Sequence, residues 1–426
     1  MNDEDAYRQS VRELSDRVVE AQSELRVLAA VGWGDDVRER FFAEHARRQP
    51  AVDAEYYAAR PLPFDPEELV ATFRSIEADA VGTLGPLSPA GSHIRFMCEQ
   101  YRLVVDLLVS RGTPSFGNLS ALLYGAPGDV LYAGGPSVAD LATTLREALE
   151  AIAGDIVGVD DPDTIPGDEA ARLLQERFDR SMGPGMVDVR LDDGIVADAA
   201  AGSTYVKVRA DAMFSERDLR LLEAHEGWVH IGTSINGLAQ PWCTFLGKAA
   251  PRTTVTQEGL AVLCEVLTLR SFPNRLAKLL RRVEGIAMAA DGATFLDLYR
   301  FYVDDGTDPG EAYTSAARIF RGSTPDGGPF NKDLGYVKGF LLTSAYVRAA
   351  LRLGQFHRIP LLFCGKVDLA DMATLHHLED EGLVEPPTFV PPPFDDLQAL
   401  SSTLAMLRVA TGLDLDRMEA DVSALF

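Results

Sequence analysis

The sequence predicts an α+β fold that is rich in helices and has one small antiparallel sheet beside a helix carrying two histidines. Three observations support this. Apolar residues recur at helical spacing through most of the chain. Strand-like alternation is confined to residues 186–209. A helix start signal then follows at Ser215. The sheet should therefore lie next to the histidine helix.

The composition is that of a large folded protein with a strong acidic balance. The chain has 426 residues, of which 46% are hydrophobic, and 40 basic against 64 acidic residues give a net charge of −24. This length fits two lobes or one large irregular domain. Because so negative a surface repels phosphate backbones and anionic lipids, we expect neither nucleic-acid nor membrane binding.

The sequence indicates neither export nor membrane insertion. Residues 1–6 are acidic and lack an apolar run after a basic start, so they do not resemble a secretory signal. No segment is apolar over the length of a membrane span. The cysteines show no paired spacing, which is typical of small buried residues in a reducing compartment: Cys98, Cys243, Cys264 and Cys364. We therefore expect a cytoplasmic protein.

Residues 1–155 are expected to form a mainly helical N-terminal region. Apolar spacings of three, four and seven between residues 6 and 48 predict an amphipathic helical lead-in. The prolines of residues 60–66 end it, because proline does not fit inside a helix. Glycine and proline predict a loop-rich passage over residues 117–135. Further helices are predicted over residues 67–76, 94–110 and 138–156.

Residues 156–385 are expected to form the catalytic region, which begins with the sheet. An Asp-Asp-Gly turn at 192–194 predicts a hairpin between residues 186–190 and 195–199. Residues 203–209, which include Tyr205, alternate like a half-buried strand. We expect this strand to form an edge-like wall of the site, where it could align an extended substrate through main-chain hydrogen bonds.

Two helices follow the sheet, and capping signals predict where each begins. Ser215 can cap the first together with Asp218 three residues on, so this helix should begin near Glu216. Thr254 and Gln257 form a Thr-x-x-Gln pair, which predicts the start of the second helix.

The last third of the chain is again predicted to be helical. Its clearest helices cover residues 337–353 and 369–381. Five prolines between residues 386 and 393 predict an extended connector. We expect residues 386–426, the connector and two final helices, to pack on the catalytic region.

The first of the two helices after the sheet carries His225, Glu226 and His230. Two imidazoles and the carboxylate of Glu258 on the second helix would supply three zinc ligands and leave a fourth position for water. Since zinc lowers the pKa of its bound water to about 7, Glu226 can take the proton of that water as general base. Glu265, seven residues after Glu258, is expected to bind the ring nitrogen of a ligand histidine that does not face the metal.

The interval of five residues between the histidines does not suit a regular helix. Familiar zinc peptidase helices place two histidines four apart, which brings both rings to one face. At an interval of five the rings would point roughly 140° apart. A single-turn π-bulge absorbs the extra residue, and Gly227 would ease it. The sequence therefore predicts a distorted turn between His225 and His230.

These residues resemble those of one known family. The pairing of His225-Glu226-x-x-x-His230 with Gln257-Glu258-Gly259-Leu260-Ala261 is similar to the QEGLA-motif proteins. Bacterial members of that family are called flavohemoglobin expression-modulating, and their relatives include the microtubule-associated tyrosine carboxypeptidase. Further similarity covers residues 232–237 with Gln240, 318–322 and 332–336.

The resemblance implies a zincin-like metallopeptidase in which His225, His230 and Glu258 bind Zn²⁺ and Glu226 is the catalytic carboxylate. Asn236, inside one of the matching stretches, is then expected near the ligands. The implied reaction removes a C-terminal residue from a peptide or protein, tyrosine in the tubulin-directed members.

A carboxypeptidase needs a cation to hold the terminal carboxylate of its substrate. A locally basic stretch supplies Arg318, Arg321 and Lys332 as candidates. Tyr336 can donate a hydrogen bond to the tetrahedral oxyanion. Ion pairing within an acidic protein and ordinary aromatic packing are the alternative roles of these side chains.

The sequence leaves two other functions open. A zinc amidase acting on a small molecule would use the same ligands in a closed pocket instead of an open groove. A non-catalytic regulatory protein of the same family would keep the fold without the chemistry. The sequence specifies neither the substrate nor the oligomeric state.

Overall fold

The computed structural model describes residues 3–153, 162–192 and 198–410. Within these ranges helices make up most of the chain and strands are short, so the predicted helix-rich α+β class is confirmed. Among the described helices none combines the length and apolar character needed to cross a bilayer. All four cysteines are buried and unbridged, as expected for small apolar residues.

The N-terminal region is helical as predicted, with more breaks than expected. Its helices are α1 Asp3–Ala21, α2 Val27–Val31, α3 Asp35–Ala43, α4 Ala54–Ala58, α5 Pro66–Leu84, α6 Pro89–Val109, α7 Ser115–Tyr124 and α8 Val138–Ala153. The predicted proline break separates α4 from α5, and Asp65 caps α5 by accepting hydrogen bonds from two backbone N–H groups. The passage predicted as a loop is helical up to Tyr124, because Phe116 and Leu123 are buried on one face of α7.

The remaining helices follow the sheet region. They are α9 Gly167–Met182, α10 Glu216–Leu222, a π-helical segment Glu223–Ile231, α11 Gly232–Leu238, α12 Thr253–Leu267, α13 Pro273–Ala290, α14 Phe295–Asp304, α15 Pro309–Phe320, α16 Gly335–Arg352, α17 Met372–Asp380, α18 Pro392–Asp395 and α19 Leu397–Ala410. The helices predicted over residues 337–353 and 369–381 are confirmed as α16 and α17, the latter preceded by a 3₁₀ turn. Helix α9 is not predicted from the sequence.

The sheet is mixed, so the prediction of a small antiparallel sheet built on a hairpin is wrong. Its strands are β2 Asp188–Asp192, β3 Ala199–Ala201 and β4 Tyr205–Arg209, in the order β2-β4-β3. Strand β2 pairs parallel with β4, and β3 pairs antiparallel with β4. Residues 193–197, which include most of the predicted turn, lie outside the described residues. Apolar alternation indicates which face of a strand is buried, but it does not indicate which strand pairs with which.

Strand β4, which carries Tyr205, is therefore the central strand and not an edge. Both of its sides are paired, so it has no free main-chain groups to align a substrate. The strand that borders the histidine helix is β3. A separate antiparallel pair joins β1 Ile165–Pro166 to β5 Met213–Phe214.

One hydrophobic core includes residues from all three predicted regions. This core contains Val11 of α1, Phe73 of α5, Leu260 of α12, Phe394 of α18 and, from a segment before α17, Phe363. A second cluster, between α9 and the sheet, contains Phe178, Val206 and Ile231 and packs under the π segment. The boundaries predicted at residues 155 and 385 stay predictions.

Helices α12 and α16 cross at two glycines. A Cβ atom on Gly259 would lie 2.1 Å from the carbonyl carbon of Gly339, and one on Gly339 would lie 1.9 Å from the carbonyl oxygen of Val255. Both distances are far below van der Waals contact, so the crossing requires glycine on both helices. Glu258 is next to Gly259 in the sequence, and Tyr336 lies about one turn before Gly339.

Candidate active site

The predicted distortion between His225 and His230 is confirmed. It covers nine residues, the π segment Glu223–Ile231, and is thus longer than a single turn. Hydrogen bonds in a π-helix join residues five apart, so the two histidines come to the same side of the segment. Their ring centroids are 4.8 Å apart, and the rings are nearly perpendicular at 87°.

Packing and side-chain donors explain why the chain adopts this wide turn. A Cβ atom on Gly227 would lie 2.2 Å from Cε1 of Phe178 on α9, so packing against that helix requires glycine there. Thr233 Oγ1 lies 2.6 Å from the carbonyl oxygen of Val229, to which it can donate. Lys366 Nζ donates to the carbonyl oxygen of His230 at 2.6 Å. These donors satisfy carbonyl groups at the end of the distorted turn.

Three side chains converge next to this turn. Nε2 of His225 lies 3.3 Å from Oε2 of Glu258, and Nε2 of His230 lies 3.5 Å from the same oxygen. The three potential ligand atoms all lie within 4.8 Å of one another. In the described part of the chain, no other group of three or more histidine, cysteine or acidic residues is arranged in this way.

The donor atoms fit a divalent cation. Oε2 of Glu258 is buried and receives no hydrogen bond of ordinary geometry from the described residues. Nδ1 of His225 lies 2.6 Å from Oε1 of Glu265, and Nδ1 of His230 lies 3.5 Å from Oε1 of Gln257. Because the Nδ1 atoms face oxygen acceptors, both rings present their Nε2 atoms to Glu258.

Charged neighbours control the protonation of these groups. Burial lowers the pKa of His225, but the nearby carboxylates of Glu258 and Glu265 outweigh burial and raise this pKa to about 10. Burial disfavours the ionised form of Glu258, yet Lys332, followed by the two histidines, holds its pKa well below the ordinary value. The pKa of Glu265 is lowered as well, because Arg275 and His225 overcome the effect of burial.

Glu226 lies between the two histidines in sequence and contacts the sheet. Its Oε2 accepts a hydrogen bond of 3.1 Å from the backbone N–H of Ala201 in β3. The sheet thus holds one oxygen of this carboxylate in place. The wall of the site predicted at Tyr205 and β4 is therefore formed by β3.

Five basic side chains form a cluster beside the three converging residues, called here the basic cluster: Arg275, Arg282, Arg318, Arg321 and Lys332. Two of them pair with acids of the site. Arg275 lies 3.2 Å from Oε1 of Glu265, and Lys332 Nζ lies 3.1 Å from Oε1 of Glu258. The structure therefore brings together all three cations predicted from the sequence and adds two from α13.

The other three members of the basic cluster share one carboxylate, that of Asp333. Arg318 makes a close ion pair with Asp333, whereas Arg282 and Arg321 each lie 4.0 Å from it. Burial and the neighbouring Arg318 lower the pKa of Arg321 to about 10. Its Nε atom is buried without a hydrogen-bond partner in the described residues. This part of the cluster carries more positive than negative charge.

Tyr336 lies between the basic cluster and the histidines. Its ring stacks at 6.1 Å from the ring of His225, and the guanidinium carbons of Arg275 and Arg282 lie 5.8 and 5.5 Å from its centroid. The predicted role of Tyr336 as an oxyanion donor is compatible with this position and stays a prediction.

A comparison with known protein families identifies the chain. The family model "Microtubule-associated tyrosine carboxypeptidase" matches residues 39–411. The chain belongs to this family. The resemblance predicted from the two motifs is thereby confirmed, and membership of a carboxypeptidase family supports a carboxypeptidase-like hydrolase.

Two further comparisons complete this result. Among solved structures, the chain is similar to the M32 carboxypeptidase from Deinococcus radiodurans R1, with 18% identity, a TM-score of 0.39, and coverage of 90% of this chain and 92% of that one. No curated protein matches.

In this member of the tyrosine carboxypeptidase family, Tyr205 and Asn236 are predicted from the sequence to lie at the site. Their contacts in the structure are with other parts of the chain. Arg190 lies over the ring of Tyr205, 4.5 Å from its centroid, on the sheet. Asn236 donates to the carbonyl oxygens of Phe363 and Phe389, both at 2.7 Å. We therefore correct the assignment of Asn236: it anchors the connector that precedes α18 and does not orient a ligand.

Gln257 also differs from its predicted role. Helix α12 begins at Thr253 without a side-chain cap, so the predicted Thr254–Gln257 capping box is wrong. The amide oxygen of Gln257 instead lies 2.9 Å from Thr233 Oγ1 and 3.0 Å from Lys366 Nζ. Tertiary contacts with the π segment replace the local cap.

Three residues of the site are not predicted from the sequence. Arg275 and Arg282 are seven residues apart on α13, and this spacing could have indicated a shared face. Lys366 has no such signal, since it lies more than a hundred residues after its partners. Burial lowers the pKa of Lys366 to about 7, although Glu226 and Glu258 favour its charged form.

Proposed function

We propose that the protein is a zinc-dependent carboxypeptidase that removes the C-terminal residue of a peptide or protein. The observation that carries this proposal is the convergence of two imidazole nitrogens and one carboxylate oxygen within 4.8 Å. His225, His230 and Glu258 would hold the ion in a zincin-like arrangement with one position open. Membership of the tyrosine carboxypeptidase family supports the choice of reaction.

Different residues of the chain would have separate roles in peptide hydrolysis. When bound, zinc supplies a water molecule with a pKa of about 7. Glu226, held by the N–H of Ala201, would take a proton from water and deliver it to the leaving amine. Tyr336 would donate a hydrogen bond to the developing oxyanion of the substrate.

The basic cluster supports an exopeptidase in particular. Arg282 and Arg321 share the single carboxylate of Asp333 with Arg318, so an incoming anion would find donors already in place. We propose that this anion is the terminal carboxylate of the substrate, which arginine binds through charge-assisted hydrogen bonds.

Replacing Arg321 should therefore weaken the binding of substrates with a free C-terminus. We expect Arg321→Met to raise KM by roughly 10- to 100-fold, the equivalent of a hydrogen bond to a charged group. Steady-state kinetics on one peptide in free-acid and amidated forms would measure this change. Arg281→Met is the matched control, because Arg281 on α13 pairs with Asp305 and does not belong to the basic cluster. An equal loss with both forms of the peptide would contradict the assignment.

A cavity beside Lys332 offers space for the side chain of the C-terminal residue. Its volume is about 140 Å³, and its lining is largely apolar and aromatic, with contributions from Leu25, Tyr101, Val104, Tyr124 and Lys332. This lining supports a C-terminal aromatic residue, and membership of the tyrosine carboxypeptidase family supports tyrosine in particular.

A peptide library with varied C-terminal residues, incubated with the zinc-loaded protein and read by mass spectrometry, tests this function. We expect the loss of a single C-terminal residue, fastest from peptides that end in tyrosine. Cleavage of small amides with the peptides untouched would instead indicate an amidase. A library left intact by protein that holds zinc would indicate a regulatory protein.

Zinc binding should release protons from the site. Because the surroundings of His225 raise its pKa to about 10, this ring is protonated at pH 8, whereas a zinc ligand must be neutral. At least one proton should therefore leave per zinc bound, and zinc affinity should rise with pH until about pH 10. Isothermal titration calorimetry at pH 8 in buffers of different ionisation enthalpy measures the proton count. A binding heat that is independent of the buffer would contradict this prediction.

A further inference from the structure

A partly buried network of polar side chains contacts His230 on the side away from Glu258. Its centre is Oε1 of Gln257, which lies 3.0 Å from Lys366 Nζ, 2.9 Å from Thr233 Oγ1 and 3.5 Å from His230 Nδ1. The network joins the π segment, α11, α12 and the segment that follows Phe363. Thr233 and Gln257 are both buried, so water cannot readily replace their contacts.

Lys366 fixes the orientation of the Gln257 amide. Its Nζ lies 2.6 Å from the carbonyl oxygen of His230, which can only accept a hydrogen bond, and 3.1 Å from Thr233 Oγ1. An amine has at least two N–H bonds to donate in either protonation state. The amide therefore turns its oxygen towards Lys366, since the reverse orientation would place N–H groups against N–H groups.

The orientation of this amide determines which nitrogen of His230 carries the proton. An amide oxygen facing Nδ1 can only accept, so the neutral ring is protonated at Nδ1 and keeps a lone pair on Nε2. Nε2 is the atom that points towards Glu258. When the ring of His225 is neutral, the contact of its Nδ1 with the carboxylate of Glu265 favours the same form.

We propose that Lys366 is a positioning residue of the metal centre. It acts on His230 twice, by holding the carbonyl group of that residue in the π segment and by orienting its ring through the amide of Gln257. This inference rests on the proposed metal site. It also gives a role to Gln257, the glutamine of the Gln-Glu-Gly motif, which contacts both Lys366 and the ligand His230.

Metal affinity of the full-length protein tests the inference. We expect Lys366→Met, which keeps the apolar stem and removes the donors, to lower the affinity for zinc about 10- to 100-fold, the range typical of partners that orient a ligand. Competition with a chromogenic chelator would measure zinc, and the visible absorption of bound cobalt would report the geometry. Gln257→Leu should have the same effect as Lys366→Met. Gln257→Glu should retain binding, because a carboxylate still accepts from both neighbours.

Lys278→Met is the matched control, since Lys278 pairs with Glu311 on the surface. Thermal melting of each metal-free variant separates folding from binding. A lowered melting temperature with wild-type zinc affinity would show that Lys366 is merely structural and overturn the inference.

If Lys366→Met does not fold, the zinc affinities of Gln257→Leu and Gln257→Glu decide the question. A wild-type protein that binds neither zinc nor cobalt overturns the proposed function and this inference together, whereas unaffected variants of a metal-binding wild type overturn the inference alone.

Discussion

Replacing Glu226 with glutamine is expected to abolish hydrolysis and leave metal binding intact. The amide is nearly the same size, and its oxygen can still accept the hydrogen bond from Ala201, so the local geometry is retained. It cannot take a proton from water, and the loss of a general base lowers the rate by about 10²- to 10⁴-fold. Measurements of kcat/KM together with the zinc content of the purified protein would check both parts.

Glu258→Ala is the informative contrast to that variant. It removes the oxygen on which both Nε2 atoms converge and leaves Lys332 without its partner. We expect zinc and activity to be lost together. Normal hydrolysis by both variants would show that the assigned roles are wrong, and loss of zinc from Glu226→Gln would make Glu226 a ligand and not a base.

A side chain at Gly259 is expected to be the most disruptive change outside the ligands. A Cβ atom there would lie 2.1 Å from a backbone carbon of Gly339, and no rotamer change relieves a clash between backbones. Helices α12 and α16 would have to separate, so Gly259→Ala should lower the free energy of unfolding by about 3 kcal/mol or more, at or above the usual cost of overpacking. Zinc affinity should fall too, because Glu258 moves with α12.

Chemical denaturation and zinc titration of this variant would measure both effects, and Gly82→Ala provides the control. Gly82 lies inside α5, and a Cβ atom there would meet nothing within 4 Å. The same substitution at that position should stabilise the helix by about 0.5–1 kcal/mol. Similar effects at the two positions would contradict the importance of the helix crossing.

Features encoded by neighbouring residues could be predicted from the sequence. Ser215 and Asp218 form the expected capping box, and helix α10 begins at Glu216. The interval between the histidines conflicts with a regular helix, so a distorted turn could be inferred from the need for both rings to meet one ion. The contact between His225 and Glu265 follows from the helical spacing of Glu265 after Glu258.

Features that depend on distant partners could not be predicted. Gln257 resembles a local cap, but the half-buried Lys366 and the buried Thr233 bind its amide instead. The apolar alternation of β2 and β3 is compatible with a hairpin, yet β4 lies between them. Arg318 is a candidate from its basic stretch of sequence, and its substrate-binding role stays a prediction. Its pairing with Asp333 depends on how the segment before α16 folds back.

The nine-residue π segment also affects how relatives of such a centre are found. Adding one residue to a regular helix rotates everything beyond it by about 100°. Here the widened turn absorbs that rotation. A survey that searches for histidines four apart therefore overlooks proteins of this kind. Searches that allow one additional residue, together with a glycine that faces a bulky neighbour, would include them.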